Sequence, residues 1–253
     1  MITFVGAGPG AVDLITVRGL RLIQEADVVI YAGSLVNPEL LKEVKESCKV
    51  YDSSVMTLLE LVDVMAEAEK QKLRVVRLHT GDPSLYGAIR EQLDALRQRG
   101  IRASVCPGVS AMGGAAASLE EEYTVPGVTQ TVIISRAEGR TAVPESESLH
   151  ALARHGASMV LFLSAGLAEQ VQQELLTGGY APETPVAVVY KATWPEERIL
   201  RTRLDCLAEA MDSAGIIKTA LIIISRALHG GAPCEPSRLY SPDFETSCRK
   251  ARS

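Results

Sequence analysis

Residues 2–10 read Ile2-Thr3-Phe4-Val5-Gly6-Ala7-Gly8-Pro9-Gly10, and residues 17–31 read Val17-Arg18-Gly19-Leu20-Arg21-Leu22-Ile23-Gln24-Glu25-Ala26-Asp27-Val28-Val29-Ile30-Tyr31. The first stretch is a short apolar run that stops at a glycine-rich turn, the pattern of a buried strand whose backbone must bend tightly where it ends. In the second, Leu20, Leu22 and Ile23 give residues 17–25 one apolar helical face, and the β-branched run at 28–31 is another strand. Strand, helix and strand in that order predict an α/β fold with a mainly parallel sheet.

The alternation continues on both sides of these stretches. A helix is expected around 39–47, an amphipathic helix over 58–71, and a strand over 74–78 that runs into Thr80-Gly81-Asp82-Pro83. A helix over 88–99 stops at Gly100, placed as a C-terminal glycine, and a strand over 103–105 leads into Pro107-Gly108-Val109-Ser110. Ser110 is an N-cap for a small-residue helix over 111–119. After a crossing at 120–127, strands are expected near 131–135, 159–163, 186–190, 199–203 and 220–225. Helices at 148–154, 168–176 and 206–214 lie among them. The expected organisation is an N-terminal α/β domain over 1–118, a C-terminal α/β domain over 119–231, and an irregular tail over 232–253, where composition turns to Pro, Ser, Cys and charge.

Composition removes several classes of function. A net charge of −5 and an aromatic content of 4% leave neither a basic field nor a stacking platform for nucleic acid. The five cysteines (Cys48, Cys106, Cys206, Cys234, Cys248) are odd in number and show no metal-ligand spacing, so free thiols are expected and no metal site. His79, His150, His155 and His229 are equally scattered. The N-terminus lacks a basic region followed by a long apolar run, and no apolar stretch is long enough to span a membrane; a cytoplasmic location is the expectation.

Four loops gather the chemistry. Gly6, Gly8 and Gly10 give GxGxG where a dinucleotide fingerprint has GxGxxG, Pro9 removes a backbone donor, and Tyr31-Ala32-Gly33-Ser34 stands where an acidic ribose contact belongs. A nucleotide-dependent oxidoreductase would use this loop alone. It would leave without purpose the loops Thr80–Gly87, Pro107–Ala111 and Lys191-Ala192-Thr193-Trp194-Pro195, all at the carboxyl ends of predicted strands, where open α/β sheets place ligands. Glycines there leave room for a flat adenosine-like ligand, with carboxylate and hydroxyl groups for its polar edges. Taken singly, Asp82 reads as a turn carboxylate, Ser110 as a helix cap and His79 as a structural histidine.

Gly6-Ala7-Gly8-Pro9-Gly10 with Asp13-Leu14-Ile15-Thr16, the Gly81-Asp82-Pro83 loop ending in Tyr86-Gly87, and Pro107-Gly108-Val109-Ser110-Ala111 together resemble the tetrapyrrole methylases in order and spacing. Tyr31-Ala32-Gly33-Ser34-Leu35-Val36, His79-Thr80-Gly81-Asp82, Ser135-Arg136-Ala137-Glu138-Gly139-Arg140-Thr141 and Tyr190-Lys191-Ala192-Thr193-Trp194-Pro195 resemble one branch of that family, which methylates carbon 11 of precorrin-4 or cobalt-precorrin-4 in cobalamin synthesis. The resemblance covers about residues 1–230. Another precorrin methylase or a uroporphyrinogen methylase is the alternative within the family.

The resemblance implies two α/β domains with S-adenosylmethionine in the cleft between them, a precorrin substrate and a homodimer. It implies cofactor contacts at Pro9, Gly81, Asp82, Leu85, Ser110, Ala111, Leu163, Ala192, Thr219 and Ala220. A precorrin carries a rim of carboxylates, which makes Arg77, Arg136, Arg140 and Lys191 the candidate substrate contacts. Asp82, Tyr86 and Glu138 are the candidates for moving a proton. Methyl transfer from a sulfonium to carbon needs alignment above all, so neither a catalytic triad nor a metal is expected.

Overall fold

The computed structural model describes residues 1–229 and 241–251. Packing divides the chain into two units. Unit 1 comprises Met1–Ala115 together with Lys191–Glu197, and unit 2 is built on Ala116–Tyr190 and the chain from Arg198 onward.

Unit 1 holds β1 (Ile2–Gly6), β2 (Val28–Tyr31), β3 (Lys49–Asp52), β4 (Val75–His79) and β5 (Ala103–Cys106) in the order β3-β2-β4-β1-β5, every pair parallel. Parallel strands need crossovers, and α1 (Val17–Glu25), α2 (Leu58–Lys70) and α3 (Ile89–Gln98) serve as three of them. One sheet face packs Ile2, Phe4, Ile30 and Val75 with Leu61 and Met65 of α2; the other packs Val5, Val29 and Leu78 with Ile23 of α1. Burial on both faces explains why β1 reads as a continuous apolar run with no alternation. Helix starts follow local chemistry: the Thr16 side chain accepts from the Gly19 amide, and Thr57 with Glu60 forms a capping box ahead of α2. Gly100, with φ +73°, ends α3 as expected.

Two expectations fail in this unit. Residues 39–47 form no α-helix: Pro38–Glu43 is a 3₁₀ turn in which only Leu40 is buried, too small an apolar face to hold a longer helix in place. The edge strand β3 was missed. Two of its residues are exposed and it begins with lysine, so it carries none of the apolar signal of a central strand.

Helix α4 (Ala111–Leu119) is divided at Ala115, its first part belonging to unit 1, and unit 2 goes on with β6 (Val132–Ser135), α5 (Leu149–Ala153), β7 (Ser158–Leu161), α6 (Ala168–Gly178), β8 (Pro185–Tyr190), β9 (Arg198–Arg203), α7 (Leu207–Ser213) and β10 (Ala220–Ile224). The sheet order is β6-β7-β10-β8-β9. Only β6 and β7 are parallel; β10 runs antiparallel to both neighbours and β9 antiparallel to β8. A mainly parallel sheet therefore describes unit 1 alone. Side-chain periodicity records which face is buried and says nothing of strand direction. Met159, Leu161, Val188, Ile222 and Ile224 form the core with Leu149, Val171, Leu175, Leu207 and Met211 from the helices. Of the predicted tail, residues 232–240 and 252–253 lie outside the described residues, and residues 241–251 contain turns and one isolated Thr246–Arg249 bridge.

Candidate functional site

β1 and β4 are neighbours whose outgoing connections run in opposite directions, to β2 on one side and to β5 on the other. Such a reversal is where an open parallel sheet leaves a crevice at its carboxyl edge. The loops after β1, β4 and β5 are stitched together at this edge through backbone. The Ala7 amide donates to the His79 carbonyl at 2.7 Å, and Gly8 and Gly81 exchange hydrogen bonds of 2.8 and 3.3 Å. A Cβ on Gly6 would stand 2.6 Å from Gly108 Cα, and one on Gly108 would stand 2.2 Å from the Gly81 carbonyl oxygen. Gly6 and Gly108 are thus required by backbone packing on backbone, where the sequence suggested room for a ligand. Gly81 differs: its φ of +60° demands glycine, and an added Cβ would meet the Ala111 amide nitrogen at 3.4 Å, ordinary contact.

Asp82 is the bolt of this edge. One carboxylate oxygen accepts from the Ser84 amide at 2.8 Å and from the Ser84 hydroxyl, while the other accepts from the Gly108 amide at 2.8 Å. Burial pushes its pKa up, but the Ser84 hydroxyl and the Gly108 and Ser84 amides outweigh that and hold it below the usual carboxylate range. Both oxygens are engaged and the group stays ionised. The structure therefore corrects Asp82 as a proton-moving candidate and makes it an anchor between two loops.

Backbone strain marks the same places. Eight non-glycine residues among those described have positive φ; four of them (Tyr86, Ala88, Lys191, Thr193) lie in or beside the loops picked out by the sequence, and two more (Leu163, Thr219) are contacts that the resemblance implied. Conformations of this kind cost on the order of 1–3 kcal/mol each and cluster at ligand sites.

The segment 191–197 closes on the glycine loop within unit 1. Trp194 Nε1 donates to the Pro9 carbonyl at 3.1 Å, Thr193 Oγ1 accepts from the Ala11 amide at 2.9 Å, and Asn37 Nδ2 donates to the Gly10 carbonyl at 2.8 Å. Gly10 has no room for a side chain, because a Cβ would lie 2.1 Å from Trp194 Cδ1. Lys191 Nζ lies 3.6 Å from Glu196 and 5.1 Å from the Trp194 ring centroid.

In unit 2 the remaining candidates share one sheet edge. Registers Ser135–Leu161 and Leu161–Ile222 bring the carboxyl ends of β6 and β7 beside the amino end of β10, where Thr219 and Ala220 stand. Leu163 follows β7 with φ +54° and is 69% exposed, which is why the strand stops at Leu161 and not at 163. Buried Ser164 fixes this turn: its hydroxyl donates to the Phe162 carbonyl at 2.7 Å and accepts from the Ala137 amide at 2.8 Å.

The structure treats the predicted residues unequally. In unit 1, Leu85, Ser110 and Ala111 are half-exposed, while Pro9, Gly81 and Ala192 are buried and can offer backbone at most. In unit 2, Leu163 and Thr219 are exposed and Ala220 half-exposed. Arg77 is corrected: it is only 5% exposed, and its guanidinium donates to Gln92 Oε1 at 3.1 Å and to the Ile30 and Leu78 carbonyls at 3.2 and 3.3 Å. Burial lowers its pKa to about 10, so it remains charged inside the fold and is not offered to a substrate carboxylate. Arg136 donates to the carbonyls of Ala137, Thr141 and Ala142, closing its own loop. Glu138, Arg140 and Tyr86 are exposed. His79 is buried against Phe4 with ring centroids 5.8 Å apart. Burial, then the charge of Arg77, push its pKa down to about 3. Asn37 and the side chains of Thr193 and Trp194 were missed; their partners lie far off in sequence, and no local pattern marks them.

The profile of the family described as Tetrapyrrole (Corrin/Porphyrin) Methylases matches residues 1–208. The cobalt-precorrin-4 C(11)-methyltransferase of Methanocaldococcus jannaschii is 50% identical over 250 residues, 99% of this chain and 96% of that protein. The precorrin-4 C(11)-methyltransferase of Mycobacterium tuberculosis strain H37Rv is 46% identical over 228 residues, 90% of this chain and 91% of that protein. Among solved structures, a cobalt-precorrin-4 methyltransferase described as a cobalamin biosynthetic enzyme matches with a TM-score of 0.88 at 48% identity, over 90% of this chain and 95% of that one. The uroporphyrin-III C-methyltransferase of Thermus thermophilus, complexed with S-adenyl homocysteine, matches with a TM-score of 0.76 at 28% identity, over 92% of this chain and 95% of that one. A family profile spanning most of the sequence, and relatives about half identical from end to end, establish that the chain belongs to the tetrapyrrole methylases.

Proposed function

We propose that this chain is an S-adenosylmethionine-dependent methyltransferase that methylates carbon 11 of precorrin-4 or its cobalt form in cobalamin synthesis. The observation that carries the reading is identity of 50% spread over 99% of the chain with an enzyme named for that reaction. The residues present fit the methyl donor. Gly81 places no side chain of its own against the Ala111 amide, and half-exposed Leu85, Ser110 and Ala111 combine an apolar surface with backbone polar groups, the chemistry an adenosine takes.

In this reading the contact set keeps Pro9, Gly81, Asp82, Leu85, Ser110, Ala111 and Ala192 in unit 1, and Leu163, Thr219 and Ala220 in unit 2. Bound S-adenosylmethionine supplies an electrophilic methyl group on a sulfonium. The protein's work is alignment, and holding two reactants at attack distance is worth about 7–11 kcal/mol of barrier. Arg140, with its exposed guanidinium, is the first candidate for a precorrin carboxylate, ahead of Arg136 and Lys191, which hold internal partners. Tyr86 and Glu138 remain the candidates for moving a proton. The reading also places the protein in the cytoplasm as a homodimer, with no nucleic-acid partner; among the described residues no helix is long and apolar enough to cross a membrane. Light scattering on the purified chain tests the dimer.

The test of function is calorimetric titration with S-adenosylhomocysteine, with NADH as control, followed by mass spectrometry of precorrin-4 and cobalt-precorrin-4 incubated with enzyme and S-adenosylmethionine. Binding of the first ligand alone and gain of a single methyl group are expected; NADH binding without methyl transfer would overturn the reading. Ser110→Phe should weaken S-adenosylhomocysteine binding by at least about tenfold, roughly 1.4 kcal/mol. Its cost to folding should be about 1 kcal/mol, from the lost Ser110 cap on the Met112 amide. Unchanged affinity in that variant would remove Ser110 from the site.

A further inference from the structure

We propose that Thr193 and Trp194 are positioning residues for methyl-donor binding, acting through the backbone of the glycine loop. The proposal rests on the function assigned above and adds residues that the contact set leaves out.

The turn after β1 exposes three backbone groups that no strand or helix satisfies: the carbonyls of Pro9 and Gly10 and the amide of Ala11. Each takes a side chain as partner, and for Pro9 and Ala11 that partner is Trp194 or Thr193, 185 and 182 residues away. A buried or half-buried backbone group must be paired somewhere, and pairing by side chains lets the loop hold a shape that local hydrogen bonding would not select. The fit is close on every side. Trp194 fills the space a Gly10 side chain would need. A Cβ on Gly114 of α4 would come within 2.9 Å of Pro9 Cβ and Cγ and 3.1 Å of Thr193 Cγ2. Thr193, Pro9 and α4 are therefore packed without slack, and α4 begins at Ala111, directly after Ser110.

The connection from β8 to β9 does more than join two strands. A hairpin needs about two to five connecting residues in relaxed conformations. Here the chain spends Lys191–Glu197 on it and holds Lys191 at φ +48° and Thr193 at φ +67°. A β-branched residue at positive φ is an outlier that persists only where its surroundings fix it. They do so: Glu197 accepts from the Thr193 amide at 2.5 Å, and the Trp194 and Glu197 amides donate to the Lys191 and Trp194 carbonyls at 3.0 Å. The strained segment is thus braced to present one hydroxyl and one indole N–H to the glycine loop.

Thr193→Val removes the hydroxyl but keeps the branched shape, Thr193→Ser keeps the hydroxyl, and Trp194→Phe removes the indole N–H. The full-length variants would be titrated with S-adenosylhomocysteine and assayed for KM and kcat, with melting temperatures alongside. Thr193→Val and Trp194→Phe should each weaken S-adenosylhomocysteine binding and raise the KM for S-adenosylmethionine about fivefold, the worth of one hydrogen bond, with kcat within about twofold. Thr193→Ser should restore both. Should Trp194→Phe fail to fold, the Thr193 pair decides alone. Wild-type protein that binds S-adenosylhomocysteine while Thr193→Val binds it equally well would overturn the proposal, as would equal losses in Val and Ser variants. Wild-type protein that does not bind it at all would instead overturn the function on which the proposal stands.

Discussion

Gly108→Ala should destabilise the protein by at least about 3 kcal/mol, the upper part of the range for forcing atoms into a filled interior. The new methyl carbon would lie 2.2 Å from the Gly81 carbonyl oxygen, 2.7 Å from Gly6 Cα and 2.9 Å from the Gly6 carbonyl carbon. All three are backbone atoms, so no side chain can rotate away. Relief requires separating the loops after β1, β4 and β5, and that breaks the 2.8 Å hydrogen bond from the Gly108 amide to Asp82. Gly113→Ala is the matched control: inside α4 its Cβ would meet only Val109 Cγ1, at 3.9 Å. It should be stabilising by about 0.5–1 kcal/mol through helix propensity. Urea unfolding of both variants reads the contrast, and a Gly108→Ala protein within about 1 kcal/mol of wild type would contradict the packing described for this edge.

Acidification should weaken the fold through His79, and His79→Phe should remove that sensitivity. The ordinary pKa of 6.5 applies to the unfolded chain, while burial first and Arg77 second hold the folded value at about 3. Between these values the unfolded state binds a proton that the folded state refuses. Stability contributed by this group is therefore complete above pH 6.5, falls as pH drops, and stops falling below about pH 3. One such group gives a slope of about 1.4 kcal/mol per pH unit, or about 2–3 kcal/mol between pH 6 and pH 4. Phenylalanine keeps a ring against Phe4 and also deletes Nε2, which has no hydrogen-bond partner in the fold. The difference in unfolding free energy between wild type and His79→Phe should move in the variant's favour by that slope as pH falls. Parallel profiles across this range would show that His79 takes up its proton in the folded protein as well.

Much of unit 1 was legible because its signals are local. Residues 17–25 and 28–31 were placed to the residue, since an apolar helical face and a β-branched run mark them without reference to the rest of the chain. Strand β3 was not legible, because an edge strand with an exposed end lacks the apolar run that betrays a buried one. Nor was the direction of β9 and β10, which depends on connections and not on composition. The candidate loops were found from their position at strand ends, yet the chemistry of their residues was only half visible. Nothing in Gly6 or Gly108 says whether the missing side chain makes way for a ligand or for another backbone. Nothing in Arg77 says that its charge turns inward to Gln92. Leu163 and Thr219 take positive φ against their own preference, so no glycine or asparagine stands at those two positions to announce them.

The distance in sequence between the glycine turn and its partners also governs when that turn can close. All strands of the first sheet are encoded by residue 106, so that sheet has its full complement of pairing partners early in synthesis. The Pro9 carbonyl and Ala11 amide must wait for residues 194 and 193 to leave the ribosome. Until then water is their partner, and a nascent chain with a finished sheet still has an open turn. Translation stalled or terminated within that interval yields a polypeptide that protects its strands from hydrogen exchange while Ala11 exchanges freely, a signature by which an incomplete chain can be told from a complete one.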